Sequence, residues 1–206
     1  MLSRIIVFIL GKWAEILVVI MVVGYSVVLS YLSILRHEAF YSNYDLANMD
    51  QTVWNTSQGR ILELSGKGGT VSRFSIHADA FLAVISPVYW IWSDVRALLI
   101  IQTVALGSGA IWVYLITKKV LESKILALNV SLMYLLNPGM QWTNLYDFHS
   151  VAVAIPFLLG TVYMFLNGKW KWYWTLAVLA MITKEQVSLW IAMLGIWALM
   201  RRQWKV

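Results

Sequence analysis

The apolar run "ILVVIMVVGYSVVLSYLSIL", residues 16–35, decides the fold class of this chain. It contains no charged residue, and its length is that of a helix that crosses the hydrocarbon core of a bilayer, about 20 residues. The run is too long for the apolar core of a signal peptide, and no small-residue cleavage site follows it. We therefore expect a membrane anchor here.

The composition extends this expectation to the whole chain. Of its 206 residues, 60% are hydrophobic and 13% are charged, whereas soluble domains are about 45–50% apolar and about 25% charged. Twelve tryptophans and ten tyrosines suit the aromatic belts of membrane interfaces. The chain has no cysteine, which excludes disulfides and thiolate metal sites. The lipid bilayer is the first expected partner.

Further apolar segments follow along the chain, at residues 97–117, 125–142, 151–166 and 172–200. The second of these contains an Asn-Pro-Gly sequence at 137–139, which should kink or end its helix. The last is too long for one span and carries Lys184 and Glu185 in its middle, so we divide it into two short helices. The sequence thus predicts an all-α polytopic membrane helix bundle of about six transmembrane helices, in a single integral membrane domain, residues 1–206.

The basic residues predict the orientation of this bundle. They cluster at both termini and in short connections, at Arg4, Lys12, Lys118, Lys119, Lys124, Lys169, Lys171, Arg201, Arg202 and Lys205. The positive-inside rule places these clusters and both termini in the cytoplasm. Residues 36–96 then form a long extracytoplasmic loop, in which 76–92 suits a helix lying in the interface. Because topology explains the net charge of +6, nucleic acid is not an expected partner.

Polar side chains from three separate stretches meet the predicted outer face. The candidate site residues are Asp45, Asp50, Trp54, Arg60, His77, Asp147, His149, Lys184 and Glu185. On a helix, the five positions between Asp45 and Asp50 correspond to about 140°, so these two acids need not act as a pair. Ionisable residues between two short apolar helices, such as Lys184 and Glu185, indicate a functional site by default.

Each candidate also has a plain structural explanation. The acids at 45 and 50 suit a solvated loop, His149 suits a helix cap, and Lys184 with Glu185 suits an ion pair at the tip of a helical hairpin. A divalent metal is the minority interpretation. His77, Asp147, His149 and Glu185 have ligand chemistry that suits zinc or manganese, but only if they meet in space.

Four motifs in a characteristic order resemble a family of bacterial and archaeal membrane proteins, domain of unknown function 2079. They are "YDLANMDQTVWNTSQGR" at 44–60, "HADAFLAVISPVYWIW" at 77–92, "NPGMQWTNLYDFH" at 137–149 and "TKEQVSL" at 183–189. The resemblance runs from about residue 40 to residue 190. Two positions depart from the family pattern: Gln186 replaces an acid, and "HAD" replaces the aromatic that usually follows His77.

That family is similar in layout to the GT-C glycosyltransferases. The resemblance implies transfer of a sugar from a polyprenyl-phosphate donor on the extracytoplasmic face of the cell membrane, with Asp45 as the catalytic acid of the first outer loop. The other candidates would bind substrate. GT-C proteins have more spans than this chain, which implies an N-terminal part of a longer protein whose C-terminal part supplies further helices. The alternative is a non-enzymatic membrane protein, a transporter-like or scaffold bundle, with charges along a path through the bilayer.

Overall fold

A computed structural model describes residues 2–66 and 69–200, and the chain is mostly helical. Its elements, in chain order, are α1 (Leu2–Glu38), α2 (Tyr44–Ser57), β1 (Glu63–Gly66), β2 (Gly69–Ser72), a 3-10 turn (Arg73–Ser75), α3 (Phe81–Ile85), α4 (Val88–Ile91), α5 (Arg96–Leu121), α6 (Lys124–Leu135), α7 (Pro138–Leu145), α8 (Ser150–Leu166), α9 (Trp170–Met181) and α10 (Val187–Met200).

The prediction of an all-α chain is wrong in the first loop, where β1 and β2 form an antiparallel hairpin. Glu63 lies opposite Ser72, and Gly66 lies opposite Gly69. The glycine-rich sequence permits this sharp reversal, since Gly69 has a φ of +121°, which side chains disfavour. The hairpin is joined to α2 by hydrogen bonds from Gln51 to Ser65 and from Asn55 to the Glu63 carbonyl, and Leu64 is buried.

Helix α1 runs antiparallel to α5 along the bundle. At one end the Lys118 ammonium lies 2.6 Å from the Glu15 carboxylate, and at the other end Arg96 lies 3.4 Å from Glu38. Helix α8 runs in the same direction as α5. The side chain of Gln102 accepts a hydrogen bond from the backbone of His149 near the start of α8, and the rings of Trp112 and Tyr163 meet 5.8 Å apart further along.

Helix α6 returns antiparallel to α5. The Lys124 ammonium donates to the Gly11 carbonyl at one end, 2.8 Å away, and the Tyr134 hydroxyl donates to the Leu106 carbonyl, also at 2.8 Å. Helices α9 and α10 form a hairpin against α8. The six segments α1, α5, α6, α8, α9 and α10 therefore alternate in direction within the bundle.

The basic connections lie at one end of this bundle, which we call the lysine end. The α5–α6 connection contributes Lys118 and Lys124 there, and α8 ends beside Lys169 because it runs parallel to α5. This grouping is what the positive-inside rule requires of a cytoplasmic face. The C-terminal basic cluster at 201–205 lies outside the described residues.

The six segments differ in length, and two of them are much longer than the others. Within the described chain, Gly11–Glu38 of α1 and Arg96–Leu121 of α5 are long and apolar enough to cross a membrane, with 28 and 26 residues. Helices α6 and α9 have 12 residues each, fewer than the roughly 20 that a span needs. The proline at 138 explains the short α6, because the preceding Asn137 is extended, with a ψ of 122°. Six full transmembrane helices therefore remain a prediction.

Close packing of α5 on α6 makes Gly109 sensitive to substitution. A Cβ atom at this position would lie 2.8 Å from Cζ of Tyr134, so the tyrosine ring would have to move and lose its bond to Leu106. We expect Gly109→Ala to destabilise the fold by about 1–3 kcal/mol, the usual cost of overpacking. Thermal unfolding in detergent measures this effect. Gly24→Ala in α1 is the control, because its Cβ would meet nothing within 4 Å; equal loss in both variants would contradict the prediction.

Candidate functional site

The connections opposite the lysine end are joined to one another by hydrogen bonds, and we call this part the loop end. The backbone N–H of Asn43 donates to the Asp147 carboxylate at 2.8 Å, and that of Phe81 donates to the Ile182 carbonyl at 2.8 Å. The Ser33 hydroxyl donates to the backbone of Asn144 at 3.1 Å. Stretches more than a hundred residues apart in the sequence thus form one polar surface.

Asp45 and His149 meet on this surface. Asp45 lies in the first turn of α2, where a carboxylate interacts favourably with the helix dipole. Its side chain is 53% exposed, and its Oδ2 lies 3.6 Å from Nε2 of His149, whose side chain is 28% exposed. The Asp45 carboxylate therefore lies beside the His149 ring and is also accessible to ligands from solvent.

The orientation of His149 is fixed by its neighbours. Its Nδ1 lies 3.0 Å from the Asp147 carbonyl oxygen, which can only accept, so Nδ1 carries a proton. The ring also stacks on that of Tyr146, with centroids 5.6 Å apart. Nε2 is thus the nitrogen that faces Asp45, and it becomes a donor when the ring is protonated. His149 occupies the N-cap position of α8, but its side chain makes no capping hydrogen bond.

Asp147 lies in the interior beside this pair. The residue is only 1% exposed, and its Oδ2 accepts the hydrogen bond from Asn43. Its Oδ1 has no hydrogen-bond partner within the described part of the chain. The position favours a tethering role, in which Asp147 holds the start of α2, over the substrate contact that the sequence suggested.

Asp50 faces a different part of the loop end from Asp45, as their helical spacing predicts. It accepts a hydrogen bond from the hydroxyl of Tyr89 on α4. Burial raises the pKa of Asp50, although the bond from Tyr89 opposes this effect. Burial and the Asp50 carboxylate together raise the pKa of Tyr89. The two groups line a cavity of about 580 Å³ between α1, α2, α4 and the start of α5, which we call the loop-end cavity.

A charge network closes one side of this cavity. The guanidinium of Arg96 donates to both oxygens of Asp94, at 2.9 and 2.7 Å, and lies 3.4 Å from Glu38. The hydrogen bond from Arg96 lowers the pKa of Asp94. The cation of the cavity wall is therefore already paired with two carboxylates of the protein.

Trp54 lines the cavity and is 44% exposed. The Arg60 guanidinium lies 5.1 Å from the centroid of the Trp54 ring, donates to Asn55 at 2.5 Å and pairs with Glu63 at 3.5 Å. Arg60 therefore interacts with the Trp54 ring and with residues of its own loop.

His77 and Glu185 form a second exposed pair, with Nδ1 and Oε1 2.9 Å apart. The backbone N–H of Ala78 donates to the other Glu185 oxygen at 3.0 Å. A bond from its own backbone and those from His77 and Ala78 lower the pKa of Glu185 to about 2. The pair joins the first loop to the α9–α10 connection, which also contains the half-buried Lys184.

Sequence reasoning missed the most buried ion pair of the loop. Arg73 and Asp79 are 4% and 0% exposed, and three hydrogen bonds of 2.9–3.1 Å join them. The pair lies in an irregular segment without hydrophobic periodicity, so the sequence offers no pattern that predicts it. Its burial and its three hydrogen bonds indicate a structural role.

The candidate metal ligands of the described chain lie in two separate pairs. Within residues 2–66 and 69–200, no group of three or more His, Cys, Asp and Glu side chains is arranged to hold a metal ion. His77 pairs with Glu185, whereas His149 pairs with Asp45 and lies beside Asp147. The donor set does not fit the divalent-metal hypothesis. Convergence of both pairs on a single cavity mouth remains a prediction.

The fold and its polar loop end define a helical membrane protein. A family described as "Predicted membrane protein (DUF2079)" matches residues 36–206, and the chain belongs to this family. The match begins at the end of α1 and includes every candidate site residue. The comparisons with curated proteins and with solved structures gave no match. Membership supports a bilayer environment for the apolar helices.

Proposed function

We propose that the protein is a GT-C-like membrane glycosyltransferase, or the N-terminal part of one, that takes a sugar from a polyprenyl-phosphate donor on the extracytoplasmic face. The observation that carries the proposal is the Asp45–His149 pair. An exposed carboxylate beside an oriented imidazole, at the polar end of an apolar bundle, suits proton abstraction from a hydroxyl at a membrane surface.

The proposed reaction assigns each group a task. The acceptor hydroxyl attacks the anomeric carbon, and its proton passes to the Asp45 carboxylate. The bond between the anomeric carbon and the phosphate oxygen breaks, and polyprenyl phosphate leaves with the bonding electrons. The Lys184 ammonium offsets the charge of the leaving phosphate. No metal ion is needed for this assignment.

The apolar surface of the bundle suits the lipid part of such a donor. Residues along α1 present large exposed side chains, including Val19, Ile20 and Val23 at 54%, 58% and 55% exposure. These side chains would contact the bilayer, where an isoprenoid chain also resides. The donor would then present its phosphate at the interface, level with the loop end.

The distribution of ion pairs favours this proposal over a transporter. A transporter is expected to place ionisable groups along a path through the bilayer. In the part of the chain that the structure describes, Glu15–Lys118 lies at the lysine end and Glu38–Arg96 at the loop end. Consumption of a polyprenyl-phosphate sugar by the purified protein tests the enzymatic proposal, whereas solute flux into liposomes without such consumption would favour the alternative.

Single-cysteine labelling tests the proposed orientation, since the chain contains no cysteine of its own. Thr70 on β2 and Glu122 after α5 are exposed residues at the loop end and the lysine end, respectively. We expect Thr70→Cys to react with an impermeant maleimide added to intact cells, and Glu122→Cys to react only after permeabilisation. Labelling of Glu122→Cys alone in intact cells would reverse the orientation and remove the proposed site from the outer face.

A further inference from the structure

The loop-end cavity is separate from the Asp45–His149 pair, since neither of these two residues lines it. Its volume of about 580 Å³ lies in the usual range of small-molecule sites, about 300–1,000 Å³. Asp50 lines the cavity, whereas Asp45 does not. The two acids lie about 7.5 Å apart along α2 and about 140° around it, so they serve different sides of the helix.

The charges around the cavity exclude an anionic ligand. Three carboxylates line it, those of Glu38, Asp50 and Asp94, against the Arg96 guanidinium and the ring of His37, whose Nδ1 lies 2.9 Å from the Ser42 hydroxyl. That guanidinium is bound to Asp94 and Glu38 and has little capacity left for a phosphate. The phosphate of a lipid-linked donor therefore does not belong in this cavity.

The Trp54 ring is not a free binding surface for a cationic ligand. A cation would bind best over the face of the exposed Trp54 ring. The Arg60 guanidinium already lies 5.1 Å from the centroid of that ring. A second cation would therefore share the ring with Arg60 and be repelled by its positive charge. An uncharged ligand meets neither penalty and can still lie against the indole.

The carboxylate of Asp50 suits the hydroxyl groups of a ligand. Oδ1 of Asp50 accepts a hydrogen bond from the Tyr89 hydroxyl, which fixes the carboxyl group in the cavity wall. We propose that the loop-end cavity binds a saccharide, with Asp50 accepting its hydroxyl hydrogen bonds and the Trp54 ring stacking against its apolar face. As a subsite for the acceptor sugar, this assignment rests on the proposed function; as a saccharide site, it stands on the cavity alone.

Saturation-transfer NMR tests the proposal with the purified protein in detergent. The probes are the methyl glycosides of glucose, galactose and mannose, with choline and inorganic phosphate as charged comparisons. We expect a methyl glycoside to bind and the charged probes not to bind. Asp50→Asn and Trp54→Ala should each weaken binding about tenfold or more, because a hydrogen bond to a charged group or a stacked aromatic surface is lost.

Matched variants separate this site from its surroundings. Trp54→Phe keeps an aromatic ring and should retain most of the binding. Trp142→Ala removes another exposed tryptophan, 66% exposed on α7, and should change nothing. Binding of choline or phosphate instead of glycosides, no glycoside binding, or equal binding in wild type, Asp50→Asn and Trp54→Ala would each overturn the proposal.

Asp45→Asn distinguishes the two proposals. Glycoside binding should persist in this variant, because Asp45 does not line the cavity. Persistent binding without sugar transfer by the wild-type protein would remove the proposed function and leave the saccharide site. Sugar transfer by the wild type without glycoside binding would remove the saccharide site and leave the proposed function.

Discussion

We expect Asp45→Asn to lower the turnover of a polyprenyl-phosphate sugar by about 10²–10⁴-fold, the typical contribution of a positioned general base. The amide keeps the size of the side chain and its place in the first turn of α2. It cannot accept the proton of the acceptor hydroxyl. The 53% exposure of Asp45 means that the change leaves the core untouched, so the loss should appear in turnover and not in folding.

The matched control is Asp50→Asn, the same chemical change on the same helix. Asp50 binds Tyr89 and faces the loop-end cavity. Its variant should therefore raise the acceptor concentration needed for half-maximal rate while turnover at saturation changes little. Steady-state kinetics with a lipid-linked donor measures both constants. Full turnover in Asp45→Asn, or equal loss of turnover in both variants, would reject Asp45 as the base.

The pair partner of Asp45 offers a smaller effect. His149→Gln keeps a side chain that can hydrogen-bond, but it removes the ring that lies 3.6 Å from the Asp45 carboxylate and stacks on Tyr146. We expect turnover to fall by less than in Asp45→Asn, because the carboxylate that accepts the proton remains. Steady-state kinetics measures this loss, and turnover equal to that of wild type would show that His149 only holds the loop.

The sequence predicts the helices whose limits are set by the length of an apolar run or by a proline or polar residues at its end. An uninterrupted apolar run marked α1, and Pro138 placed the end of α6 correctly. The polar residues before Val187 correctly divided the last apolar segment into α9 and α10. The divergence of Asp45 and Asp50 followed from helical geometry once α2 was assumed, and their different partners confirm it.

Tertiary pairing explains what the sequence did not reveal. The β1–β2 hairpin has four-residue strands with Leu64 as its main buried side chain, so no alternating pattern marks it. The His77–Glu185 pair and the Phe81–Ile182 backbone bond both join segments about a hundred residues apart. The buried Asp147 likewise binds Asn43, from a distant part of the chain. Such contacts are properties of the assembled loop end.

The second large effect concerns the stability of that loop end. Arg73→Met should destabilise it by about 3–5 kcal/mol, because it leaves the Asp79 carboxylate in the interior without its partner. The double variant Arg73→Met/Asp79→Leu should recover most of the loss, since it removes both charges at once. Hydrogen exchange of residues 62–82 and thermal unfolding in detergent measure the local and the global parts of the effect.

Glu63→Gln is the control for this experiment, because it breaks an exposed ion pair of the same loop. Arg60 and Glu63 are 44% and 35% exposed and 3.5 Å apart, so their separation should cost less than about 1 kcal/mol. The contrast follows from solvent. Water screens the Arg60–Glu63 pair, whereas the hydrogen bonds that the described residues make to the Asp79 carboxylate all come from the Arg73 guanidinium. Equal, small effects of Arg73→Met and Glu63→Gln would show that water reaches Asp79 and that the buried pair does not organise the loop beneath the proposed site.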